Sequence, residues 1–248
     1  MLRAREPWFA MKTAHSFNGL PSFAALATAA FVAAGCASSG PKNETPRQAS
    51  EFKATDGRTI EIGRATPAEG GRTFKNPHLD KCWVAGGFTF NGYDTLFIAP
   101  ISVTAEVKDD ERERLQLATQ QIPAKLTQFL TPKGMFTNIV TRDSDIKPGA
   151  RTLRFENTIT DYSKGSRAAR VYSLYGAGQP MLRVEGRLLE GDKPLFTYEA
   201  RRSGTSAGSR VGGLFMSGDN IQDEDVHSMM LDLTDFMAAI AGKYPPKN

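Results

Sequence analysis

Residues 181–202 read MLRVEGRLLEGDKPLFTYEARR. Leu182, Val184 and Leu188 fall on one side of an extended segment, and Arg183, Glu185 and Arg187 on the other, because successive side chains of a strand alternate between faces. Glu190-Gly-Asp-Lys-Pro194 supplies a turn, and Leu195–Arg202 returns as a second strand. A connection this short makes the two strands neighbours in space. The pair therefore has one apolar face, which needs a cover, and one face carrying a ladder of arginine and glutamate.

Upstream, Arg151–Asp161 repeats the pattern, with Leu153, Phe155 and Ile159 on one face and Arg154, Glu156 and Thr158 on the other. Val171–Tyr175 and Phe136–Thr141 read as further strands. Leu96–Ala99, inside the stretch Tyr93–Thr104, is apolar on both parities, as in a strand covered on both faces. Pro100 cannot donate to a ladder and marks a bulge or the end of pairing. Asp109-Asp110 opens a helix whose stripe is Leu115, Ala118, Ile122, Leu126, Phe129 and Leu130. Pro123 is expected to kink or restart that helix, and Lys133-Gly134 to end it. Beyond the hairpin, Ser203–Gly218 is a Gly/Ser-rich loop without a period. A last helix, Gln222–Ala241, carries the stripe Val226, Met229, Met230, Leu233, Phe236, Met237 and Ile240, and stops at Gly242. These elements predict an α/β two-layer sandwich over residues 93–242: a mixed sheet of four to six strands with two helices on one face. The arginine–glutamate face is left wet or meets a partner.

Residues 51–92 read as a hairpin and loop region. Asp56-Gly57 is a two-residue turn signal, and Arg64–Leu79 reads as a long polar loop. Ser38–Ala49, SSGPKNETPRQA, has no apolar cluster and reads as part of a flexible tether over residues 36–50.

Residues 1–35 have the layout of an export signal: Arg3, Arg5 and Lys12, then the apolar run Phe23–Ala34. That run is shorter than the roughly 20 residues a spanning helix needs. Met11-Lys12 would open a more typical signal. Ala33-Ala34-Gly35-Cys36 resembles the lipobox of bacterial lipoproteins, with Ala33 where leucine is commonest. The resemblance implies cleavage before Cys36 and a diacylglycerol on its sulfur. Two or three acyl chains hold a protein on a bilayer without a transmembrane helix. Ala37 rather than aspartate after the cysteine implies the outer membrane, facing the periplasm. The alternative is an ordinary secreted protein in which Cys36 is incidental.

The full chain carries a net charge of +4 over 248 residues. Residues 1–35 hold Arg3, Arg5, Lys12 and Glu6, a net +2, so the remainder is +2 as well. That is too little to argue for nucleic acid. Cys82 is the second of two cysteines. Beside Trp83 and Val84 it reads as a buried thiol.

Three motifs carry a family resemblance: Ile159–Arg170 (ITDYSKGSRAAR), Tyr175-Gly-Ala-Gly178, and Leu182–Leu188 (LRVEGRL). They resemble a bacterial lipoprotein domain of unknown function with a Gly-x-Arg-x-x-Arg stretch and a Gly-x-Gly before a charged strand. The resemblance implies a fold distantly similar to the curli-secretion lipoprotein and to the N-terminal domain of the Tol-system β-propeller protein. It implies no catalytic residues and no cofactor.

Lys164, Arg167 and Arg170, with Tyr162, Tyr172 and Tyr175 nearby, have the composition of a contact surface. The bland alternative is a solvated face. Gly204-Thr-Ser-Ala-Gly208 matches the Gly-x-Ser-x-Gly of serine hydrolases, with Ser206 as nucleophile and Asp219 or Asp223 and His227 coming after it in order. The next residues, Ser-Arg-Val-Gly-Gly, are poor helix material for such an elbow. His78-x-x-x-Cys82 offers two zinc-type ligands where a site needs three or four, so no metal is expected. Gly176-Ala-Gly178 lacks the third glycine of a dinucleotide site and reads as a turn. The expectation is a non-enzymatic, lipid-anchored scaffold of an envelope secretion or cell-wall complex. A ring- or pore-forming homo-oligomer and a hydrolase using Ser206 are the alternatives.

Overall fold

The computed structural model describes residues 50–166, 178–203 and 218–246, with side chains in the last stretch from Asp223 onward. The signal and tether segments with Cys36, the strand expected at Val171–Tyr175, Arg167, Arg170 and Ser206 lie outside the described residues.

The charged hairpin is the centre of the sheet. Met181–Glu190 (β10) pairs antiparallel with Lys193–Ser203 (β11) through the two-residue turn Gly191-Asp192. Gly191 has φ 59°, the left-handed conformation such a turn demands. On its other side β10 pairs antiparallel with Thr152–Ser163 (β9). Leu153, Phe155, Ile159, Val184 and Leu188 are fully buried. Simple alternation fails at two places: between β10 and β11, where the step from Leu188↔Phe196 to Leu189↔Pro194 leaves Leu195 extra, and between β10 and β9. Register passes from Arg183↔Asp161 to Val184↔Ile159, so Thr160 is an extra residue. This bulge turns Tyr162 inward, three residues after Ile159.

The sheet is larger than the four to six strands expected: among the described residues it has nine. Arg64–Ala68 (β3), Gly71–Lys75 (β4) and Lys81–Ala85 (β5) extend it antiparallel beyond β11. Arg64–Leu79 is therefore mostly a hairpin and not a loop. Within β3 and β4 only Phe74 is buried, so no apolar alternation marks the hairpin. Pro67 sits in β3, at the edge of the sheet, where a missing N–H is tolerated.

Thr95–Ile98 (β6) lies parallel to β9 on one side and to Asn138–Val140 (β8) on the other. Ser102–Val103 (β7) resumes pairing with β9 after Pro100, and the shift from Ile98↔Phe155 to Ser102↔Thr158 leaves one extra residue at the proline. The full order is β3-β4-β5-β11-β10-β9-β6-β8, with β7 also on β9. Parallel strands need a long crossover. Here it is Arg112–Leu130 (α1), preceded by a 3-10 turn at Asp109–Glu111. The helix runs unbroken through Pro123 and does not restart there. Gly134, at φ 59°, ends the short turn beyond it.

Gly218–Ile240 (α2) packs against α1 and over β10 and β11. Its stripe, Val226 through Met237, joins the inward sheet residues and the α1 stripe in one core. Gly242, at φ 71°, stops it. Glu51–Lys53 (β1) and Thr59–Glu61 (β2) form a separate hairpin. Its turn is longer than two residues: Ala54 donates to the Arg58 carbonyl and Gly57 to the Ala54 carbonyl. Lys53 donates to the Pro245 carbonyl at 3.0 Å, so this hairpin is stitched to the last described residues. No helix of the described residues is long and apolar enough to cross a membrane.

Candidate functional site

The face of the sheet opposite the helices is a polar trough of about 980 Å³, running from Lys81 on β5 to Thr104 beyond β7. Strand alternation puts the charged half of each central strand there. Glu185 and Glu199 stand directly opposite each other, an unfavourable pairing taken alone. It is relieved by Lys81, 2.7 Å from Glu199, and by Arg183, 2.6 Å from Glu199 and 3.5 Å from Glu185. A second ladder runs from Arg154 through Glu156 to Arg187, both contacts at 2.7 Å. Arg154 also lies over the Phe97 ring, 5.5 Å from its centroid, which covers the outward apolar residue of β6.

These ion pairs set the protonation of the face. The Lys81 ammonium holds Glu199 below the usual carboxylate range, against the upward push of burial. At Glu156 burial pushes upward, and hydrogen bonds from Arg187 and Arg154 outweigh it. Carboxylates held ionised this firmly are poor proton donors near neutral pH. The trough is thus lined by paired, ionised side chains.

Lys164 is placed otherwise than as a free cation. Its ammonium pairs with Asp110 at the start of α1, and its backbone N–H donates to buried Glu111 at 3.0 Å. The root of the segment that leads to Arg167 and Arg170 is thus fixed to the helix. Gly178 closes the same root by accepting from Ser166 at 2.7 Å, with φ 78° as a turn requires.

The residues of the hydrolase pattern that are described have partners on α1. Asp223 accepts from Gln121 at 2.8 Å, and the His227 ring meets Phe129 edge-on at 5.0 Å. Cys82 is buried, whereas His78 is exposed and lies 3.8 Å from Asp232. Among the described residues no group of three or more His, Cys, Asp and Glu is placed to hold a metal.

Two buried polar clusters were not anticipated. At the end of β11, Arg202 faces inward, 7% exposed. It donates to Asp232 at 2.6 Å and to the His78 carbonyl at 2.6 Å. Asp225, on the same helix as Asp232, is 1% exposed. The parity of β11 was the available signal, because Arg202 shares the face of Tyr198 and Ala200. The second cluster centres on Asp235. Lys133 reaches it at 2.5 Å, Tyr244 at 2.9 Å and Arg58 at 2.9 Å. It joins the turn after α1, the C-terminal segment and the β1–β2 hairpin. Its members are far apart in the chain, and nothing local announces it.

Together the fold and the trough define a two-layer α/β domain with a mixed sheet, one face under helices and the other, among the described residues, open and charged. No family model matches the chain, and no curated protein does. Among solved structures, the PelC dodecamer from Paraburkholderia phytofirmans is similar at 13% identity, over 57% of this chain and 94% of that one, with a TM-score of 0.33. Protein XCC0632 from Xanthomonas campestris, of the DUF330 family, is similar at 10% identity, over 64% and 91%, with a TM-score of 0.38. A putative neuraminyllactose-binding hemagglutinin homolog from Helicobacter pylori is similar at 10% identity, over 59% and 83%, with a TM-score of 0.31. Likeness at these scores is partial and carries no activity to this chain.

Proposed function

We propose that this chain is a non-enzymatic, lipid-anchored accessory protein of a bacterial envelope. Cys36 carries the lipid, the segment to residue 50 is the tether, and the domain faces the periplasm from the outer membrane. It contributes a binding surface to a secretion or cell-wall complex. The observation that carries this reading is Phe23–Cys36, an apolar run of signal length ending in Ala-Ala-Gly-Cys. The open sheet face supports it, since its ionised groups suit contact better than proton transfer.

The experiment is fractionation with labelled palmitate. The wild-type chain is expected in the membrane fraction and labelled. Cys36→Ala is expected to be unlabelled and released. Equal labelling of both forms overturns the reading. Light scattering in mild detergent then separates a single copy from a ring of copies.

A further inference from the structure

The Arg202 cluster plays no part in the proposed function, yet it places titratable groups where burial makes their charge matter. Asp225 and Asp232 lie seven residues apart on α2, two turns of helix and therefore one face. Arg202 binds the second, at 2.6 Å, and spends another donor on the His78 carbonyl. Asp225 receives no such bond. Among the described residues neither of its carboxylate oxygens has a hydrogen-bond partner, although the side chain is buried. An ionised carboxylate cannot stay in such a place without a donor.

We propose that this seam is a proton-operated latch on the N-terminal half of α2, closed in acid and released as the solution becomes more alkaline. The closed form needs Asp225 neutral. Opening puts the carboxyl into water, where it ionises.

Linkage gives the sign. Burial pushes Asp225 up to about 7 from an ordinary 3.8, Arg202 opposing and Glu224 adding to the shift. Between those limits the closed form holds a proton that the open form has lost. Closed-form stability therefore falls as pH rises from about 4 and levels off above about 7. Asp232 is likewise raised by burial, against His78 and Arg202, but it keeps these partners when the earlier turns open and so adds nothing to the release. On the side of α1, Glu113 and Arg114 line the cleft shared with Asp223 and Val226. The Arg202–Asp232 bond holds the later turns of the helix, so release is confined to the turns before Met229.

The test is amide hydrogen exchange of the full chain from Glu224 to Met230, between pH 5 and pH 8, corrected for intrinsic rates. Wild-type protection is expected to fall by roughly tenfold to a hundredfold across that range. Asp225→Asn is expected to remove most of the slope. Amides of Leu153–Ile159 report whether the opening is local. A wild-type profile without slope, or a variant with the wild-type slope, overturns the latch. Should the variant fail to fold, carbon-13 titration of Asp225 in the wild-type chain decides. A midpoint near 7 supports the proposal, and one near 4 ends it.

Discussion

Tyr198 donates its hydroxyl to Asn157 Oδ1 at 2.7 Å across an intervening strand. The residue passed over is Gly186, the register partner of both. A Cβ there would lie inside contact distance of the Tyr198 ring and 2.6 Å from Asn157 Oδ1. The absence of a side chain lets a tyrosine ring cover the strand and find its acceptor. Gly186→Ala is expected to lower stability by about 2–3 kcal/mol, combining overpacking with a broken buried hydrogen bond. Tyr198→Phe should cost about 1–3 kcal/mol, because Asn157 loses its donor. Urea unfolding of both variants measures this, and an alanine variant as stable as wild type contradicts the account.

Asp235 is buried with Lys133, Tyr244 and Arg58 around it. Lys133→Met removes the closest cation and should destabilise by about 3 kcal/mol. Replacing Asp235 by leucine in the same chain should recover much of that loss, because a buried pair exchanged for apolar residues is often neutral. Thermal melts of the single and double variants provide the comparison. A double variant no better than the single would show that the carboxylate is not the source of the cost.

Pro123 lies inside a continuous helix and, lacking an N–H, cannot donate to the carbonyl of Thr119. Pro123→Ala is therefore expected to raise stability by about 1–3 kcal/mol. A decrease in the urea midpoint would mean that the ring packs in a way alanine cannot replace.

Burial pushes the Cys82 thiol up, and Asp80 adds to the shift. Since the thiolate is the reactive form, Cys82 should resist a disulfide reagent in the native protein and react on unfolding. Labelling of Cys82 in native protein at the rate of a free thiol would contradict this burial.

On the open face, Glu156 is held low, burial being outweighed by Arg187 and Arg154. A depressed carboxylate stabilises above its unfolded pKa and loses that contribution as pH falls through its folded one. The site is partly solvated, so the effect should be about 0.5 kcal/mol and screened by salt. Glu156→Gln should flatten the stability profile below about pH 5 by that amount, read by chemical denaturation at several pH values.

How much of this was legible varies with the physics of each element. The central hairpin was read correctly, because Leu182, Val184 and Leu188 alternate with charge and a glycine turn comes next. The last helix was equally plain, since Val226 to Met237 makes a full stripe. The Arg64–Lys75 hairpin was missed, because an edge hairpin with one buried residue has no alternation to find. The Thr160 bulge was invisible, because it shows only as a change of register with a partner strand. Of the candidate contact residues, Lys164 was found as a cation, but its partner Asp110 lies 54 residues away. Arg202 was legible in the parity of β11, but Lys133 and Asp235 lie 102 residues apart, and pairing at such a distance leaves no local mark.

The β1–β2 hairpin is fastened through Lys53 to Pro245, Phe52 to Pro246, Arg58 to Asp235 and Asn76 to the Glu61 carbonyl, with Phe52 and Ile60 in the core. A pull on the backbone at Ser50 would load those fastenings first. The hairpin therefore works as a clasp between the two ends of the described domain, sharing any strain at Ser50 with the residues around Pro245.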